Sequence, residues 1–148
     1  MKTRLLFLTL LIVPALLFAG TWLDPDYGDA VPLFKSCTTL AQITAKVAKL
    51  FPYRADVGDY WQSPLETYRR GCGDCEDLAI YVAYQARWVL NIQVEVVYAE
   101  LKDGNGHILV RYEGVLYDPV GQIDDIASII HVYCYGQAIA IATNCGVK

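Results

Sequence analysis

At 148 residues the chain is of single-domain length, and its 16 acids against 12 Lys and Arg leave a net charge of −4. That balance argues against a nucleic-acid partner, whose phosphates need clustered basic residues, and the pair Arg69-Arg70 stands isolated. The hydrophobic share of 55% overstates the core, because the first twenty residues inflate it.

Those residues, MKTRLLFLTLLIVPALLFAG, place Lys2 and Arg4 before an apolar run from Leu5 to Phe18 and the small pair Ala19-Gly20. This is the layout of a secretory signal peptide. The run is short for a membrane span and Pro14 interrupts it, so a cleaved signal is favoured over a retained N-terminal anchor, the chain's one route to a membrane. Thr21 follows where a lipoprotein would carry Cys. The expected organisation is therefore residues 1–20 as signal or anchor and 21–148 as one secreted or periplasmic domain. Loss of Lys2 and Arg4 takes the net charge from −4 to −6.

Residues 21–35, TWLDPDYGDAVPLFK, read as an irregular lead-in. Leu40, Ile43, Val47 and Leu50 follow helical spacing, with Thr38 or Thr39 as cap and Pro52 as stop. SPLETYRR reads as a short helix with Ser63 as N-cap, Pro64 first and Glu66 three after the cap. A longer helix runs from near Asp74 to near Asn91. IQVEVVYAEL is a strand over about Ile92–Leu101, KDGNG a turn, HILVRY a second strand and VLYDPV a third across Glu113-Gly114. In the tail, IIHVYCY and QAIAIAT fit strands around Gly136 or helical pieces, with strands preferred. Helices followed by antiparallel strands give an α+β fold, the long helix on one sheet face.

The chemistry gathers in GCGDCEDLAIYVAYQAR. With Asp74 as N-cap, Asp77 completes a weak capping box and Cys75 is the first helical residue, its sulfur among unpaired N–H groups. Such a position favours thiolate and can hold an oxyanion. Asp74, Glu76 and Asp77 push the other way, and a helix end worth ~0.3–1 kcal/mol does not outweigh three carboxylates. A cationic partner is required. Cys75, Ala79, Val82, Ala86 and Val89 step along one apolar stripe, so the partner is expected from the sheet. If Glu113-Gly114 is a two-residue turn, Tyr112 faces Val115 and Leu109 faces Asp118, leaving His107 and Asp118 diagonal neighbours within reach of a hydrogen bond. A slip of one residue would send Asp118 to the other face. Thiol, imidazole and carboxylate then have the logic of a Cys-His-Asp triad. The second histidine, His131, lies in an apolar run and reads as a core or edge residue. Trp61 or Gln62 is a candidate second oxyanion donor beside the Cys75 amide, with plain packing the competing role for Trp61.

Cysteine bookkeeping leaves alternatives. Export favours disulfides, and five cysteines leave one over. With Cys75 free, Cys37, Cys72, Cys134 and Cys145 allow two bridges in three connectivities. Five reduced core thiols are the alternative, and a Cys72–Cys75 bridge would silence the nucleophile. C-G-D-C also looks like a redox C-x-x-C, without the usual βαβ context. Zinc at Cys72, Cys75 and His107 lacks a fourth ligand.

GDCEDLA, then GHILVRY, then LYDP, with DYWQSPLET upstream, resembles the transglutaminase-like superfamily, and within it the bacterial transglutaminase-like cysteine proteinases. The likeness covers about Asp59 to Val120, with 32 residues from Cys75 to His107 and 11 more to Asp118. It implies a papain-like core with the nucleophile helix against an antiparallel sheet, and Cys75, His107 and Asp118 as the triad. The implied activity is amide hydrolysis on a protein or peptide substrate, with transglutaminase or deamidase chemistry as one alternative and a non-catalytic adaptor that keeps the fold as the other. No cofactor is required. In some members the acids flanking the nucleophile bind calcium, here Asp74, Glu76 and Asp77, although calcium takes six to eight oxygens.

Overall fold

The computed structural model describes residues 32–145; the signal or anchor expected over 1–20 lies outside them. After a 3₁₀ turn at Pro32–Phe34, α1 spans Leu40–Leu50, with the Thr39 side chain accepting the Gln42 N–H. Its stripe Leu40, Ile43, Thr44 and Val47 is buried, each large aliphatic contributing up to ~1.5–3 kcal/mol. Phe51 ends α1 just before Pro52, as the sequence indicates. The next helix, α2, spans Pro64–Arg70 with Ser63 as its cap, and Gly71 closes it at φ 68°.

The long helix α3, Cys75–Val89, is enclosed along most of its length: every residue from Glu76 to Ala86 is buried. Its apolar stripe is thus only part of what it buries, because α1, α2 and α4 surround it as well as the sheet. Phe34 and Phe51 close on Tyr81, ring centroids 5.9 and 4.7 Å away.

Four antiparallel strands follow: β1 Glu95–Leu101, β2 Gly106–Tyr112, β3 Val115–Tyr117 and β4 Ile126–Cys134, ordered β3-β2-β1-β4. The β2–β3 hairpin has the expected register, Tyr112 opposite Val115, and both turn residues take positive φ (Glu113 49°, Gly114 79°). After β3 the chain crosses to the far edge through a 3₁₀ turn at Ile123–Asp125, where the Lys102 N–H donates to the Asp125 carbonyl at 2.8 Å. Val96, Ile108 and Val110 face the helices, while Val97, Ala99 and Leu109 form a smaller cluster on the other face.

One element departs from expectation. QAIAIAT is not a strand but lies within α4, Tyr135–Cys145. Its alternation of small and branched residues mimics period two, yet Ala138 and Ala142, four apart, are the buried pair and set the helical face. Among the described residues no helix is long and apolar enough to cross a membrane.

Candidate active site

Between α2 and α3 the chain runs through Gly73, which bridges to Tyr53 and accepts the Arg54 N–H at 2.8 Å, and through Asp74 in extended conformation. Cys75 then opens α3, and Asp74 and Asp77 form the capping box. Gly73 has a steric reason to be glycine, since a Cβ there would stand 2.5 Å from the Asp77 Cβ.

The Cys75 thiol is partly buried at a cleft of about 410 Å³. Gly106 and Ile108 of β2 form part of its floor, Trp61, Tyr98 and Tyr133 its aromatic side, and Asp59 and Glu76 its acids. The thiol donates to Glu76 Oε2 at 3.2 Å and receives the Ile108 backbone N–H. Burial, then the Glu76 charge, pushes it up to about 12, so the resting sulfur is protonated. The helix end does not overrule its acidic neighbours.

On the sheet, His107 Nε2 lies 2.9 Å from Asp118 Oδ2, both side chains essentially inaccessible. Asp118 also accepts the Val120 N–H at 2.8 Å and the Gln122 N–H at 2.6 Å. Burial alone would raise its carboxyl, but the His107 bond and these two amides outweigh it and hold the group below its usual value. Asp118 thereby fixes the ring and leaves Nδ1 as its other nitrogen.

Thiol and ring are neighbours along β2, since the amide that reaches Sγ belongs to the residue after His107. Among the described residues no hydrogen bond joins them. The pleat explains the gap: Gly106 and Ile108 face the cleft, so the His107 side chain starts off the opposite face, opposite Ala99 in the β1 pairing. β3 pairs only with Val110–Tyr112, which leaves the neighbouring edge of β2 open beyond Val110.

Trp61 lines the cleft and packs edge-on against Tyr133, centroids 5.7 Å apart. Gln62 lies behind it: its backbone N–H donates to Asp77 Oδ1 at 2.7 Å and its Nε2 to Oδ2, so these donors are committed away from the cleft. His131 is an edge residue, exposed on β4 with its ring 4.4 Å from Tyr133.

Among the described residues no salt bridge reaches the three acids Asp74, Glu76 and Asp77. Burial raises Glu76 and Asp77 to about 7, and Asp74 Oδ1 is buried with no partner. That is a place where a cation would be welcome, but Asp77 is spent on Gln62 and Asp74. Among the described residues no group of three or more His, Cys, Asp or Glu could hold a metal ion. The carboxylates of Asp74 and Glu76 alone fall short of the six to eight oxygens calcium takes, so these side chains by themselves do not complete a calcium site. The same finding removes the zinc alternative. The disulfide expectation also needs correcting: Cys37, Cys72, Cys75 and Cys134 are free thiols, with Cys37 buried in the core beside Phe34 rather than bridged. The Cys145 side chain lies outside the described set.

Sequence reasoning missed Tyr98, Tyr133 and Asp59, whose roles depend on strands and loops meeting in space. It also missed the thiol–Glu76 bond, for which adjacency was the available signal.

No protein-family model and no curated protein matches the sequence. Solved structures do. Legionella pneumophila LapG in an EGTA-treated form is 22% identical, with a TM-score of 0.57 over 73% of this chain and 70% of that one. Its calcium-bound form gives 21% and 0.51, over 73% and 72%. A protein of Cytophaga hutchinsonii proposed to be a cysteine protease is 17% identical with a TM-score of 0.51, over 63% of this chain but only 35% of its own. At such identities the likeness is one of fold, and the α+β architecture expected from the sequence is one these proteins share with the chain.

Proposed function

We propose that the chain, on a fold shared with LapG, is an exported cysteine hydrolase that cuts amide bonds in protein or peptide substrates. The observation that carries this reading is the buried His107–Asp118 pair, 2.9 Å apart, beside a strand amide that contacts the Cys75 thiol at a helix N-terminus. In the proposed reaction, substrate enters the cleft and the thiol leaves Glu76 for the ring. His107 Nδ1 takes the thiol proton as Sγ attacks the carbonyl carbon. The oxyanion is held by the unpaired Cys75 N–H, with Trp61 as the candidate second donor. The C–N bond breaks, the amine leaves with the proton from His107, and a thioester remains. Water, deprotonated by the same ring, hydrolyses it and frees the thiol. Asp118 holds the tautomer throughout. No step is routed through a cation. Export rests on the layout of residues 1–20.

A non-catalytic adaptor is the competing reading, favoured by the bond from thiol to Glu76 rather than to imidazole. Iodoacetamide labelling at neutral pH, paired with hydrolysis of a fluorescein-labelled unfolded protein, separates the two. Selective Cys75 labelling and hydrolysis that both fall in His107→Ala support the hydrolase. Slow labelling indifferent to His107, with no hydrolysis, sinks it. Incorporation of an amine into a glutamine-bearing acceptor would instead mark a transglutaminase.

A further inference from the structure

We infer that Asp77 is a positioning residue for the cleft: its carboxylate ties the Trp61-Gln62 segment to the start of the nucleophile helix and so fixes the aromatic wall beside Cys75. The inference rests on the hydrolase reading for its consequence in catalysis, and on geometry alone for the tie itself. Asp77 is fully buried in the first turn of α3. Oδ1 accepts the Gln62 backbone N–H at 2.7 Å, while Oδ2 accepts Gln62 Nε2 and the Asp74 N–H, the latter at 3.3 Å. Three separated backbone points thus meet on one side chain: the segment before α2, the N-cap and the helix.

Two further features make the tie specific. Gln62 is itself buried, 3% exposed, and follows directly on Trp61, so fixing its amide fixes the path of the Trp61 backbone. Gly73 leaves bare backbone against Asp77, where a Cβ would come within 2.8 Å of Oδ2 as well as crowding Cβ. A carboxylate is the side chain the place requires. It offers acceptors to a backbone N–H and a side-chain amide on different oxygens, whereas Asn in one orientation would turn its own NH₂ toward the Gln62 NH₂.

The test is a donor–acceptor swap in the full chain. Asp77→Asn is expected to lower kcat/KM on the labelled unfolded protein about tenfold or more. The pair Gln62→Glu with Asp77→Asn returns it partway toward wild type, because the amide now donates to a carboxylate at 62 while the backbone N–H of residue 62 keeps its acceptor, and only the 3.3 Å bond from the Asp74 N–H is lost. A substrate-free readout accompanies it. With Trp22 and Trp88 replaced by Phe, Trp61 is the sole fluorophore of the three tryptophans, and it is only 8% exposed. Acrylamide should quench it weakly in the parent, more strongly in Asp77→Asn and weakly again in the swap, at a temperature where circular dichroism shows all to be folded. Should Asp77→Asn fail to fold, Gln62→Ala removes the same side-chain bond from the other end and must show the same quenching. Unchanged quenching in the single variants, or a swap that restores nothing, overturns the inference; the second result would mean the carboxylate is needed for its charge, as for a cation. Quenching as stated with no hydrolysis by wild type sinks the hydrolase reading and the catalytic consequence, leaving only the tie.

Discussion

The two halves of the candidate site treat their carboxylates in opposite ways. On the sheet, Asp118 collects a ring nitrogen and two backbone amides and is held charged. At the head of α3, Asp77 also collects three N–H donors and Glu76 accepts the Cys75 thiol, yet burial beside neighbouring carboxylates pushes both up to about 7. In the proposed reaction the imidazole side is in place before substrate arrives, while the thiol side is held back, its proton directed to Glu76. Activation in the proposed reaction is a change on the helix side alone.

The largest expected effect breaks the sheet side. His107→Ala should lower amide hydrolysis by ~10²–10⁴, and Asp118→Asn should cost a comparable factor by freeing the ring, with circular dichroism confirming the fold of each. If Asp118→Asn keeps wild-type kcat, the sheet-side pair is structural and the comparison fails. Next, Gly73→Ala attacks the helix side. A Cβ set 2.5 Å from the Asp77 Cβ must displace it, costing ~1–3 kcal/mol in urea unfolding.

The pH dependence of stability sharpens the contrast further. Glu76 and Asp77 have folded values above the unfolded carboxylate range near 4, so between about pH 4 and 7 the folded chain binds the more protons. Stability must then fall as pH rises through that window. In buffer with chelator, the urea midpoint is expected to be higher at pH 5 than at pH 8, by at least ~1 kcal/mol in unfolding free energy. Asp118 works in the other direction, but its lowered value confines its loss to more acidic solution. A midpoint that rises from pH 5 to pH 8 would mean the helix-side acids are compensated after all.

Much of the sheet half was legible in the sequence because local rules determine it. Ser63-Pro64 and Thr39 act where capping rules put them, and a two-residue turn at Glu113-Gly114 fixes the pairs Tyr112–Val115, Arg111–Leu116 and Val110–Tyr117. Hydrogen-bond reach between His107 and Asp118 follows from that register alone. The helix half was less legible because its bonds are not periodic. Nothing in the pattern says that Gln62, fifteen residues before Asp77, will spend its amides there. The α4 misreading has a related cause: with Ala at every second position, QAIAIAT fits both periods, and packing against α3 and β4 decides.

The smallest effect tests the turn on which that register depends. Glu113 sits at φ 49°, where a side chain with a Cβ pays for left-handed backbone, and Asn tolerates this conformation better. Glu113→Asn should therefore stabilise the chain by roughly 0.5–1 kcal/mol and leave kcat/KM unchanged, because it relieves the hairpin without moving Tyr112 from Val115. A loss of activity here would show that the turn is not merely connecting β2 to β3. It would mean that its strain holds Asp118 against His107, and that the sheet half is in place only under tension.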